Sequence, residues 1–226
     1  NGGSGWQEAV LPRLREDQGS GESSTSTVEA RVIGAGLKAL EKHEDGAAVR
    51  ELFHMFAVTQ EDFVHPMAVI ELLWRSCCAS EAEKQEGSLT TRLKVRQWTQ
   101  LLVDHSLLLG SSSEGIHLHD IVLHYLRKLL SAEEMRTEQR KVVEGMIAAS
   151  QARVAATGRF LQATGSTAKA FDGEEVDWYC CNVGAFHVKG AMDPSVGVAE
   201  DKDIQRWLLG KDMVLVRATA LAIGIH

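Results

Sequence analysis

Apolar residues recur along much of this chain at the three-to-four-residue spacing of amphipathic helices. In the first half the pattern predicts four helices, at about residues 28–42, at 47–56, from Pro66 onwards, and at 89–104. Pro66 suits a first helical turn, because the amide hydrogen that proline lacks has no helical partner there. In the second of these helices Val49, Leu52, Phe53 and Phe56 share one side, which we expect to face a core.

A short hairpin is predicted after the fourth helix. Leucines at 107–109 and the alternating apolar residues Ile116 and Leu118 flank the polar segment 110–115, a pattern typical of strand, turn and strand. We expect Asp120 to cap the helix that follows, because an aspartate carboxylate accepts hydrogen bonds from the first amides of a helix. His119 stands at this junction. Three helices followed by a hairpin is the order of a winged-helix domain.

The rest of the chain also has helical character. Long helices are predicted at 132–160 and 176–191, and a short one at 6–16 precedes a polar linker at 17–27. Residues 204–225 are a candidate start of helical repeats, with one period visible. The predicted fold is therefore mainly α: a winged-helix domain with one small β-hairpin, flanked by helical segments.

Composition restricts the function. The 226 residues carry a net charge of −7, which argues against a general nucleic-acid binder. The four cysteines form two adjacent pairs without C-x-x-C spacing, so we interpret them as small buried hydrophobes in a reducing compartment and not as a zinc site. No apolar run is long enough to span a membrane, and no signal peptide is visible. The expected location is cytoplasmic.

The order of several motifs resembles the NB-ARC family of signal-transduction NTPases, the STAND class. Leu118, His119 and Asp120 are similar to the MHD motif that closes the family's winged-helix domain, with leucine in place of methionine. Five other segments also resemble pieces of the family. Residues 6–14 are similar to a late piece of the ARC1 helical bundle, and 50–58 to the stretch before the "fpe" turn. Residues 70–74 resemble the "l..LW" helix, 107–109 the "sLl" strand, and 176–191 the helix after the winged helix. Residues 59–62 replace the "fpe" turn itself.

The resemblance implies three parts. Residues 1–44 would be the end of an ARC1-like bundle with a polar linker, 45–131 an ARC2-like winged helix, and 132–226 a helical extension leading towards repeats. It also implies that His119 contacts the β-phosphate of bound ADP and holds a closed, inactive form, while Asp120 supports the motif loop. Implied partners are an upstream nucleotide-binding domain, C-terminal repeats or other proteins, and a second copy on activation.

The chain contains no G-x-x-x-x-G-K-[ST] phosphate loop. Residues 1–5 supply glycines but no lysine. If the resemblance holds, the Walker A and Walker B segments lie upstream, so ADP or ATP belongs to the full-length parent and this chain alone binds no cofactor. We expect it to be a regulatory segment and not an enzyme.

Other interpretations stay open at this point. The chain is alternatively a helical interaction scaffold whose degenerate winged helix binds no nucleotide, with His119 a structural histidine. A metal site at His117, His119 and His124 lacks a completing cysteine or acidic cluster. DNA binding through the third winged-helix helix ranks below both hypotheses, because its three cations, Arg92, Lys94 and Arg96, form a weak patch in a chain of net charge −7. For His187 we expect a hydrogen bond between helices and not a ligand.

Overall fold

The computed structural model describes residues 28–79, 89–164 and 173–192. Within them the chain is mainly helical and has one two-stranded antiparallel hairpin, which confirms the predicted fold class. The segments predicted at 6–16, 17–27 and 204–225 lie outside the described residues. The chain divides into a first unit through Glu133 and a second from Glu134. No helix in the described ranges is both long and apolar enough to cross a membrane.

The elements follow the predicted order closely. In the first unit they are α1 Val28–Leu40, α2 Gly46–Met55, a 3₁₀ turn Phe56–Val58, α3 Met67–Cys77, α4 Leu89–Asp104, β1 Leu109–Ser111, β2 Gly115–His117 and α5 Asp120–Lys128. Two longer helices come next, α6 Ala132–Thr164 and α7 Gly173–Ala191. Helix α1 lies within residues 1–44, which were predicted as a separate part, but it belongs to the first unit and packs on α2 and α5.

The core of the first unit lies between α2, α3 and α4. Its fully buried side chains include Leu52, Phe53, Phe56, Ile70, Leu73 and Leu102. Trp74 of α3 meets Trp98 of α4 edge-to-face, with ring centroids 5.2 Å apart. The indole nitrogen of Trp98 donates to Asp45 Oδ2 at 3.0 Å, which ties α4 to the start of α2. The predicted inner stripes therefore meet in one core.

A buried carboxylate joins α3 to α4. Glu71, whose side chain is 6% exposed, accepts from Arg92 Nε at 2.6 Å and from Arg96 Nε at 2.9 Å. Each carboxylate oxygen thus has its own charged donor, the condition under which a carboxylate is tolerated inside a protein. Arg92 and Arg96, one turn apart on α4, therefore both bind the carboxylate of Glu71 on α3.

The hairpin of β1 and β2, called the wing below, has the register Leu109↔His117, Gly110↔Ile116 and Ser111↔Gly115. The edge of β2 that faces away from β1 is also paired. His65, in the loop between α2 and α3, donates its amide to Ile116 O at 2.7 Å and accepts from Ile116 N at 2.9 Å. Ile116 is buried, so the wing is fixed to the helical core by backbone and side chain together.

The second unit contains a buried polar chain. The hydroxyl of Tyr179 lies 2.6 Å from His187 Nε2, and His187 Nδ1 lies 2.5 Å from Gln139 Oε1. Because an amide oxygen only accepts, Nδ1 carries the hydrogen and Nε2 accepts from the hydroxyl. The expected hydrogen bond between helices is confirmed, with Gln139 of α6 as the partner.

The cysteine interpretation holds for three of the four residues. Cys77, Cys78 and Cys180 are buried, but Cys181 is exposed on α7 and the prediction was wrong there. The reason is helical geometry: adjacent helix residues point about 100° apart, so a pair at the edge of a buried stripe is split between core and solvent.

We predict that two glycine-to-alanine substitutions change stability in opposite directions. Gly110, with φ +102, adopts a conformation that alanine disfavours, and an added Cβ would collide with the Gly115 carbonyl oxygen. Gly110→Ala should lower the free energy of unfolding by at least about 1 kcal/mol. Gly34, inside α1, has open space around it, so Gly34→Ala should raise that free energy by about 0.5–1 kcal/mol. Urea unfolding of both variants checks this, and a shift in the same direction for the two would contradict it.

Candidate functional site

His119 lies where the wing passes into α5. Its backbone is extended, with φ −71 and ψ 139, and its carbonyl accepts from the amides of Val122 at 2.8 Å and Leu123 at 3.1 Å. His119 is therefore the N-cap of α5. Its side chain is exposed. The ring stands at the rim of the first unit, outside the core.

One long hydrogen bond reaches the His119 ring. Nδ1 accepts from the amide of Ile121 at 3.5 Å. A neutral imidazole whose Nδ1 accepts carries its hydrogen on Nε2. The ring thus presents an N–H donor on the side away from the helix backbone. A donor in this place suits an anionic oxygen, because the N-terminus of a helix also favours negative charge.

Asp120 does not cap the helix, so that part of the prediction was wrong. It is the first helical residue, and the cap lies one position earlier, at His119. The cause is the path of the chain. It stays extended through His119, whose carbonyl takes the first helical hydrogen bonds, so Asp120 falls inside the first turn. An exposed carboxylate in this place still interacts favourably with the positive end of the helix.

Arg127 anchors the other end of α5 and was missed by the sequence analysis. Its Nη2 donates to the carbonyl of Thr59 at 2.7 Å, and its Nε donates to the carbonyl of Ala57 at 3.4 Å. Glu61 lies 3.8 Å from Nη1. The sequence held only a weak signal for this role, a cation in the last turn of an amphipathic helix.

The arrangement of the other candidates favours neither metal nor DNA. His117 is half-buried and His124 is exposed on α5. In the described ranges no group of three histidine, cysteine or acidic side chains is placed to hold a metal ion. Arg92 and Arg96, two of the three cations behind the DNA hypothesis, are paired with the buried Glu71.

Two histidines inside the first unit are held neutral. Burial, together with the charge of Arg50, lowers the pKa of His54 to about 3. Burial lowers the pKa of His65 to about 4, with a hydrogen bond to the Gln60 backbone opposing the shift. The ring of His65 packs near Phe63 and Phe56, at centroid distances of 5.0 and 6.4 Å. The residue that pairs with the wing is therefore a core histidine.

Comparisons with known proteins found no match among protein-family models, curated proteins or solved structures. The likeness to the NB-ARC family consequently depends on the sequence motifs alone.

We predict that the first unit loses stability as the pH falls from 6.5. The unfolded chain takes up protons on His54 and His65 near pH 6.5, whereas the folded chain does so only near pH 3 and pH 4. The unfolded state therefore binds more protons in this window, and the free energy of unfolding falls by roughly 1 kcal/mol per pH unit for each histidine. Urea unfolding between pH 7.5 and 5 measures this slope.

Matched variants identify the source of the slope. His65→Leu and His54→Leu should each flatten it, while the same substitution at the exposed His124 should leave it unchanged. A wild-type slope near zero, or an equal slope in all variants, would contradict the assignment.

Proposed function

We propose that this chain is the regulatory winged-helix and helical segment of a nucleotide-dependent signalling switch. In this proposal His119 donates a hydrogen bond to the β-phosphate of ADP held by a neighbouring nucleotide-binding domain. The contact stabilises a closed form, and its loss lets the helical extension engage repeats or a second copy of the protein. The segment supplies a binding contact and performs no chemistry itself. Such a switch acts in the cytoplasm.

The observation that supports this proposal best is the state of the His119 ring. It is exposed at the N-terminus of α5, and the long contact from the Ile121 amide to Nδ1 favours a hydrogen on Nε2. The rings of His65 and His187, by contrast, lie in the core. The charge of Asp120 beside the ring opposes simple attraction of an anion, so the contact we propose is a directional hydrogen bond.

The order of elements adds support. The wing leads directly into the residues that resemble the MHD motif, and the helices α2, α3 and α4 precede it as the resemblance requires. The carbonyl of His119 is fixed by two amides of α5. The ring therefore projects from a defined backbone, which is what a contact between two domains needs.

We predict that His119→Ala speeds ADP release from the full-length product of the gene that encodes this chain. Losing a contact made only in the closed form should raise the release rate roughly 5- to 150-fold, the usual range for coupling between sites. Release is measured with fluorescent ADP chased by unlabelled ADP. His124→Ala, which removes another exposed histidine of α5, is the control and should release ADP at the wild-type rate.

Two results would refute the proposal. One is equal release from wild type and His119→Ala. The other is a full-length product that neither retains nor binds ADP or ATP, which would favour the alternative of a helical interaction scaffold.

A further inference from the structure

Helix α5 has an anchor at each end. At its start, β2 leads into His119 and is paired on both sides, by β1 and by His65. In its last turn, Arg127 reaches the segment that follows α2. With nine residues, α5 is a rod of roughly 13 Å. The helix also packs on the 3₁₀ turn and on α1, and the two end anchors fix its direction on that surface.

Arg127 donates to backbone carbonyls of buried residues, which are shielded from water. Ala57 is 1% exposed and Thr59 is 0% exposed, so their carbonyls depend on protein donors. The planar guanidinium spans both carbonyls with two nitrogens, and its charge strengthens each hydrogen bond. A lysine ammonium is a point charge and cannot reproduce this geometry. The contact with both carbonyls therefore requires an arginine at position 127.

We propose that Arg127 is a positioning residue for His119. By fixing the far end of α5 to the Ala57 and Thr59 carbonyls, it sets the direction of the helix whose first turn orients the His119 ring. The significance for ADP rests on the proposed function, but the coupling of Arg127 to the ring does not. It follows that a displacement of residues 57–61 is transmitted along α5 to the imidazole.

The test uses this chain and needs no nucleotide. Arg127→Met keeps the aliphatic stem but removes both donors, Arg127→Lys keeps the charge, and Lys128→Ala removes an exposed cation from the same turn as the control. Nitrogen NMR of labelled histidine reports which nitrogen of His119 carries the hydrogen. Amide exchange of Val122 and Leu123, both bonded to the His119 carbonyl, reports the first turn of α5.

We expect the wild-type His119 to carry its hydrogen on Nε2. Arg127→Met should shift the ring-nitrogen signals of His119 from their wild-type positions, because the Ile121 amide no longer meets Nδ1 in the same geometry. It should also speed exchange at Val122 and Leu123 at least about tenfold relative to α4 amides, the effect of losing the Arg127 hydrogen bonds. Arg127→Lys should fall between Met and wild type. Lys128→Ala should match wild type in both measurements.

The proposal is overturned if Arg127→Met changes exchange equally in α4 and α5 while the His119 signals stay in place, since that is the behaviour of a purely structural residue. If Arg127→Met does not fold, Arg127→Lys decides by the same two measurements. Failure of the proposed function has a different signature: the ring signals respond to Arg127, yet ADP release from the full-length product is insensitive to His119→Ala.

Discussion

The backbone pairing of His65 with Ile116 determines where the candidate site lies. Two hydrogen bonds of 2.7 and 2.9 Å attach the wing to the loop between α2 and α3. The approach is so close that a Cβ on Gly115 would lie 2.5 Å from Val64 Cγ1. Because side chains alternate along a strand, this register buries Ile116 and fixes the residue at which the chain leaves β2. The rim position of His119 is a consequence of that register.

Charged side chains in the first unit act mainly as connectors between helices. Glu71 of α3 accepts hydrogen bonds from two arginines of α4, and Arg127 of α5 donates to a backbone carbonyl in the segment after α2. Burying such groups is costly unless every polar atom finds a partner, so each connection is also a constraint on geometry. Only Glu71 of this set is buried, since the side chains of Arg92 and Arg96 are 38% and 50% exposed. A nucleic-acid phosphate that approached these arginines would compete with the buried carboxylate of Glu71 for their donors.

The sequence was informative wherever structure depends on neighbours along the chain. Periodic stripes such as Val49, Leu52 and Phe53 located the helices, and the glycine-containing turn located the wing. The cap of α5 was misplaced by one residue because capping preference does not reveal where the strand ends. Arg127 was missed because its partner Thr59 lies 68 positions away. For His187 the kind of bond was predictable, but Gln139, 48 positions away, was not.

The histidines differ in how much folding depends on them. His54, His65 and His187 are at most 2% exposed and lie among core side chains, so replacing any of them disturbs packing and polar pairing together. The side chain of His119 makes one long contact of 3.5 Å, to the first turn of its own helix. Removing it therefore costs the fold little, since only part of a weak capping interaction is lost. A change in ligand binding on replacing His119 can then be attributed to the ring and not to unfolding, which makes this histidine the most informative position in the first unit.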